Sequence, residues 1–241
     1  NVELSSNMIE NYLMYKMDLS QIHKFDFLGG FSYQKFRIYS YYMRESGFES
    51  SDIDNLYDLS LGKYTQATTG SDITVNELQS FFGRVNYNLK DKYLLTANFR
   101  ADGSTKFGEN NKYGYFPSAA FAWQMSDEGF VKSVEGISNL KMRLGWGITG
   151  NQEITSKISQ ATLGSVTGAV LDGGSTLTPG YTLTRTPNPD LKWEKTTQYN
   201  WGLDFGLWKG RLSGTLDLYY KNTTDVQMEV STKMPAPTST Y

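Results

Sequence analysis

Nucleophilic catalysis by a Ser/His or Cys/His pair needs a histidine beside the nucleophile. This sequence holds one histidine, His23, and no cysteine. His23 follows a short polar stretch, Ser20–Ile22, that reads as a turn, so a surface position is expected rather than a general-base role. A zinc site lacks ligands. Asp52, Asp54 and Asp58 in SDIDNLYD are the hard oxygen donors that Ca²⁺ takes, but no full ligand pattern follows them. ADGSTKFGENN carries Asp102, Ser104 and Glu109 without the spacing of a calcium loop, and the glycines of Gly145-Trp146-Gly147 lie inside an alternating segment, not in a phosphate cradle. What remains is chemistry of contact. Tyr57, Tyr64, Phe107, Tyr113 and Tyr181 sit in polar segments where a ring can stack on a sugar or a peptide side chain. The expectation is binding, with no enzyme activity, no cofactor and no metal.

Those side chains must be positioned by the segments between them. The clearest is Phe81 to Trp123, FFGRVNYNLKDKYLLTANFRADGSTKFGENNKYGYFPSAAFAW. Phe81, Gly83, Val85, Tyr87 and Leu89 alternate with Phe82, Arg84, Asn86 and Asn88, the period of a strand with one apolar face. A three-residue turn, Lys90–Lys92, places Leu89 opposite Tyr93, Tyr87 opposite Leu95 and Val85 opposite Ala97, so the faces match; a two-residue turn would pair apolar with polar. Tyr115, Pro117, Ala119, Phe121 and Trp123 continue the apolar face in a third strand. Pro117 removes one ladder donor and marks a strand start, an edge or a bulge.

The same alternation recurs at Met8–Leu19, His23–Phe36, around Leu140–Ile148, at Trp193–Leu207 and from Leu212 to Tyr220. About eight antiparallel strands result. Short connections (Ser20–Ile22, Lys90–Lys92, Ser126–Ser138, Trp208–Arg211) alternate with long polar ones (Ser40–Asn76, Ala101–Gly114, Gly150–Leu191) and a polar tail. Ser126 with Asp127 and Glu128 is expected to cap a short helical turn.

An all-β chain with alternating faces fits a soluble sandwich, whose apolar face meets a core, or a membrane barrel, whose apolar face meets lipid. The 241 residues carry a net charge of −2, with no basic excess to argue for nucleic acid. No run of about 18 apolar residues exists, which excludes a transmembrane helix and leaves a barrel open. Two patterns favour lipid. The apolar positions of the strand bodies hold no Asp, Glu, Lys or Arg; reversing the faces would send Arg84, Asp204 and Asp217 outward, at roughly 2–4 kcal/mol for an arginine near the midplane. Outward aromatics also gather near strand ends: Tyr15, Phe25, Tyr87, Tyr93 and Trp123 beside the short turns, and Tyr33, Phe81, Phe99, Tyr115, Tyr199 and Tyr220 toward the long loops, as in interfacial girdles. On that reading Arg84, Asn86, Asn98, Arg100, Arg143, Asn200 and Asp204 face the lumen.

The Phe81–Trp123 stretch, with its order of strand, short turn, strand, DGS-K-FG and Y-G-YFPS, strongly resembles the barrel of SusC/RagA-type TonB-dependent transporters of Bacteroidetes outer membranes. The resemblance continues at ISNLKMRLGWGITGNQ and at NPDLKWEKTTQYNWGLDFGLWKGRLSGTLDLYYKNTTD, covering roughly half the chain. It implies an antiparallel transmembrane β-barrel segment belonging to a larger, 22-stranded plugged barrel. Residues 1–241 would be part of that barrel domain, with the export signal, the plug and the other strands outside this sequence. Short turns would be periplasmic and long loops extracellular. The implied activity is TonB-dependent import of oligosaccharides or oligopeptides across the bacterial outer membrane. The implied partners are a SusD-like surface lipoprotein, the TonB–ExbB–ExbD complex acting through the plug, and outer-membrane lipid. Three alternatives remain at this point: a small eight-stranded adhesin or passive pore, which needs Met8–Leu19 to pair with Leu212–Tyr220; a soluble carbohydrate-binding β-sandwich; and a barrel enzyme.

Overall fold

The computed structural model describes residues 1–48, 58, 61–62, 68–169 and 178–228. The described residues form ten strands: β1 (Val2–Ser20), β2 (His23–Arg44), β3 (Thr68–Leu89), β4 (Tyr93–Ser104), β5 (Tyr113–Gln124), β6 (Ile137–Asn151), β7 (Thr162–Ala169), β8 (Thr178–Arg185), β9 (Glu194–Leu207) and β10 (Leu212–Thr224). Eight build one antiparallel sheet in the order β1-β2-β3-β4-β5-β6-β9-β10, and β7 and β8 form a separate hairpin. The sheet does not close: β1 and β10 are its two edges, so the Met8–Leu19 to Leu212–Tyr220 pairing of a small barrel is not made.

Register follows from turn parity. Leu89 pairs with Tyr93 across a three-residue turn, where Lys90 and Asp91 take left-handed φ values of 56° and 53°. The Asn88 side chain accepts the Asp91 N–H at 2.9 Å, a local bond that favours this conformation. The four-residue turn Trp208–Arg211 likewise sets Leu207 opposite Leu212. The first turn differs from expectation. Ser20 pairs with His23 across two residues, and the ladder shifts between Asp18 and Ser20, so Leu19 is bulged. The extra residue restores parity, leaving Met17 opposite Phe25. One row of the apolar face therefore crosses the whole sheet: Tyr15, Phe27, Val85, Ala97, Ala119, Trp146, Tyr199 and Tyr220.

The connections at the far end are shorter than the sequence suggested. β2 and β3 stay paired to Arg44–Thr68, well inside the expected Ser40–Asn76 loop. Alternation fades there because the strands leave the apolar slab, while the backbone ladder continues through β-favouring Ile, Tyr, Val and Thr. β4 likewise continues to Ser104, and the expected Gly150–Leu191 loop contains the β7–β8 hairpin. Between β5 and β6 the chain forms a 3₁₀ turn, Met125–Asp127, and one helical turn, Gly129–Lys132, whose N-terminal flanking residue is Glu128, with no side-chain cap; Ser126 lies in the 3₁₀ turn rather than capping it.

Among the described residues no second layer covers the apolar face. The buried apolar residues among those described are Ala101, Phe107, Phe116, Val131, Leu191 and Trp193, at the ends of strands or in connections, while Leu95 of β4 and Leu144 of β6 remain 46% and 42% exposed. A sandwich needs a second sheet on this face; the other sheet among the described residues is the β7–β8 hairpin. The apolar band also ends abruptly. Above the Phe31–Phe81 pair (rings 5.2 Å apart) the same face carries the Lys35–Glu77 ion pair at 2.9 Å. Twelve residue steps separate Glu77 from Leu89, and at about 3.4 Å per step and a tilt of about 40° they rise roughly 30 Å, a bilayer's hydrocarbon thickness.

Candidate functional site: a polar wall face and the clasp at its end

At the long-connection end three segments distant in sequence interlock. The β5–β6 ladder stops at Ser118–Gly147, one residue after Pro117, although β5 stays paired with β4 to Tyr113 and β6 with β9 to Asn151. Pro117, which has no N–H to give, thus marks an internal edge. Phe116, Phe107, Leu191 and Trp193 form a core beside that edge, with Leu78, Ile148, Ile154 and Ile158 packed against them. Phe107 stacks on Trp193 at 4.3 Å, and Phe116 meets Trp193 edge-on at 5.3 Å, the offset and T-shaped geometries that aromatic quadrupoles favour.

Backbone bonds lock the core. The Gly108 N–H donates to the Leu191 carbonyl at 2.9 Å and the Asn110 N–H to Pro189 at 3.1 Å. The Asn110 amide donates to Asp190 at 2.8 Å, and the Trp193 indole to the Lys112 carbonyl at 3.1 Å. The chains approach so closely that a Cβ on Gly108 would lie 2.1 Å from the Pro189 carbonyl oxygen, a backbone atom that cannot swing aside. DGSTKFG and NPDLKW are therefore two halves of one clasp.

Below the clasp, the polar face is cross-linked by its own side chains. Arg100 donates through Nε to both Asp102 oxygens (2.7 and 2.8 Å) and through Nη2 to the fully buried Ser80 at 2.9 Å. Arg143 grips Asp204 bidentately, at 2.9 Å twice, and reaches Asp217 at 2.9 Å, while the Thr215 hydroxyl donates to Asp204 at 3.0 Å. These planar forks tie β6, β9 and β10 together. Neutral groups fill the rest: Thr96 donates to Asn86, Asn98 to Ser118 and Gln198 to Asn200.

At the short-turn end one link is an exposed ion pair and the others gather on a part-buried carboxylate. Lys24 bonds Asp91 at 2.9 Å, and Lys24 together with the Asn88 amide holds the Asp91 carboxyl below its ordinary range. Glu128 accepts from the Tyr93 hydroxyl at 2.7 Å, from Lys92 at 3.2 Å and from the Trp123 indole at 3.3 Å. The Tyr93 and then the Lys92 bonds lower its pKa. His23 does not stand free at a turn: it opens β2, and its Nδ1 lies 2.8 Å from the Tyr87 hydroxyl.

The predicted side chains fall as follows. Arg84, Asn86, Asn98, Arg100, Arg143, Asn200 and Asp204 share one face, opposite the apolar rows. The loop aromatics do not form one group. Phe107 is 2% exposed, so its ring stacks on Trp193 and not on a ligand. Tyr113 and Tyr181 are exposed, Tyr113 with its hydroxyl near Gln79 at 3.3 Å. Tyr57, Tyr64, Asp52 and Asp54 lie outside the described residues. Trp193, read from sequence as the start of a strand, is instead a pillar of the clasp, since β9 begins at Glu194. Among the described residues no cluster of carboxylates or histidine is placed to hold a metal ion.

An antiparallel wall with an uncovered apolar face, a cross-linked polar face, tight turns at one end and long structured connections at the other defines the class of transmembrane β-barrels. Comparison with known proteins narrows the class. The family described as TonB dependent receptor-like, beta-barrel, matches residues 4–240, and the chain belongs to it. TonB-dependent receptor P26 of Formosa agariphila is 35% identical over 226 residues, spanning 92% of this chain and 22% of that protein. TonB-dependent receptor SusC of Bacteroides thetaiotaomicron is 44% identical over 171 residues, spanning 69% of this chain and 16% of that one. The solved structure of the RagAB peptide transporter superposes with a TM-score of 0.82 at 28% identity, over 96% of this chain and 25% of that chain. The sequence thus spans about a fifth of the curated relatives it matches.

Proposed function

We propose that this chain forms part of the wall of an outer-membrane importer that carries oligosaccharides or oligopeptides inward at the expense of TonB-transmitted energy. The observation that carries the reading is the agreement of faces across all eight strands: each row that crosses the sheet keeps its apolar side chains together on one side. On this reading the uncovered side meets lipid and the cross-linked side lines the lumen. The clasp end is extracellular, where a SusD-like lipoprotein would act as a lid. The tight turns are periplasmic, on the side from which the TonB–ExbB–ExbD complex would act through a plug. The likeness to RagAB, described as a peptide transporter, supports peptide cargo, and the name of the relative SusC, a TonB-dependent receptor, supports the dependence on TonB. The wall supplies shape and surface, and no step of catalysis is assigned to it.

The test is uptake of fluorescent oligosaccharides and oligopeptides by host cells carrying or lacking the full-length protein, with and without a working TonB. Uptake should require both. Uptake that depends on the protein but continues without TonB would favour a passive pore.

A further inference from the structure

The two ends of the wall treat their aromatic side chains oppositely. At the clasp, Phe107, Phe116 and Trp193 are buried, whereas in the connections of the short-turn end Phe130 and Trp208 are 59% and 60% exposed. Both ends belong to one chain, and β5 and β6, which carry Phe130 between them, are flanked by β4 and β9. The bare ring is therefore not a product of a sheet edge. A large apolar side chain held outside any core points to a surface that covers it.

The connection folds back onto the outward side. Trp123 stands at the foot of β5 in the apolar row that includes Tyr93 and Met142. Glu128 reaches the polar ends of that row: the Tyr93 hydroxyl and the Trp123 indole both donate to it, as does Lys92. Two residues on, the Phe130 ring meets Trp123 edge-on, with centroids 6.2 Å apart. Val131, the next residue, is buried, so the helical turn has a packed side and a bare one. A plug in the lumen would meet the polar face of the wall; Phe130 and Trp123 lie on the other.

Charge helps to define the partner. The connections Lys90–Lys92, 125–136 and Trp208–Arg211 hold five basic and four acidic side chains. Lys92 pairs with Glu128, and Lys132 lies 4.0 Å from Asp127. A surface so balanced does not select an anion. An exposed ring continuous with an apolar, lipid-facing row fits the zone between phospholipid headgroups and acyl chains, where aromatic side chains collect. We propose that the β5–β6 connection is an interfacial foot: Phe130 inserts among the phospholipids of the leaflet at the short-turn end, beside Trp123, and Glu128 fastens the connection in that pose by holding Tyr93 and Trp123. The inference rests on the apolar face meeting lipid, and it extends the membrane contact to a connection outside the strands.

Fluorophore depth tests it. A cysteine-free full-length protein carrying Phe130→Cys, labelled with an environment-sensitive fluorophore, is placed in phosphatidylcholine bilayers beside a Lys90→Cys control. A nitroxide near the lipid headgroup should quench the label at 130 more than one at the chain end, and aqueous iodide should quench it roughly threefold less than the label at 90. Adding Glu128→Ala should raise iodide quenching at 130 roughly twofold or more. Exchanging half the lipid for phosphatidylglycerol should leave these values within about twofold. Four results would overturn the proposal: a label at 130 as open to iodide as at 90, strongest quenching from the chain end, no effect of Glu128→Ala, or a strong dependence on phosphatidylglycerol. A failure of the lipid-facing reading itself shows separately, as lost alternation in lipid quenching along β4.

Discussion

The wall and the clasp solve opposite problems. In the wall, side chains alternate between two environments that the protein does not itself supply, so Leu95, Leu144 and their neighbours stay uncovered. In the clasp, Phe107 and Trp193 are 2% and 3% exposed and the backbone of one segment docks on that of another. A strand in a bilayer can leave its apolar half to lipid, but a connection standing in water must bring its own core. The wall is therefore held by ladders and ion pairs, and its end by close packing.

This contrast can be pressed hardest at Trp193. Trp193→Ala removes the ring that both Phe107 and Phe116 contact and should cost about 3–5 kcal/mol in the unfolding of the full-length protein, much the same in detergent as in bilayers. The exposed Tyr181→Ala should stay within about 0.5 kcal/mol. A small effect at Trp193 would mean that the clasp is ornamental.

The wall should respond to its surroundings instead. Leu144→Arg puts a charge on the uncovered face and should cost about 2–4 kcal/mol in a bilayer, whereas Asn98→Arg, on the polar face, should be nearly neutral. Equal costs would break the distinction between the faces. Next in size, Gly108→Ala tests how tight the clasp is: overpacking against the Pro189 carbonyl should cost about 1–3 kcal/mol, measured by denaturant unfolding.

The smallest effect belongs to the foot of the wall. The folded-state pKa of Glu128 is lowered, first by Tyr93 and then by Lys92, from an ordinary value of 4.5. Its contribution is full above that value and is lost as pH falls through the folded pKa. Glu128→Gln should therefore lower the neutral plateau slightly and flatten the acid side of the stability–pH curve below about pH 4.5, so that variant and wild type converge at low pH, as a melting-temperature series would record.

How legible each region was follows from the same contrast. Register was readable because parity is local: once Lys90–Lys92 and Trp208–Arg211 fix the turns, every side chain on the joined strands has its face assigned. Even the misread first turn left Met17 opposite Phe25, because the Leu19 bulge compensates. Pro117 announced a strand start, an edge or a bulge, and the ladder that stops beside it makes it an edge. The clasp was not readable, because Phe107 and Trp193 meet across 85 intervening residues and strand parity says nothing about such a contact. Trp193 even has the parity of Tyr199 and Trp201, so it passed for a strand residue. The signal was present in another form: DGSTKFG and NPDLKW are Gly- and Pro-marked loops that each carry one large aromatic, and an aromatic in water-exposed loops needs a partner. The upper strands were hidden for a different reason, since a ladder outside the bilayer needs no alternation.

The account stands on the two faces of the wall. The chain contains no cysteine, so single cysteines along β4 at positions 94 to 99 can be labelled one at a time in a cysteine-free full-length protein in bilayers. Quenching of an attached fluorophore by nitroxide lipid should alternate with period two, strong at 95, 97 and 99 and weak at 94, 96 and 98. Uniform quenching, or alternation of the opposite phase, would contradict it.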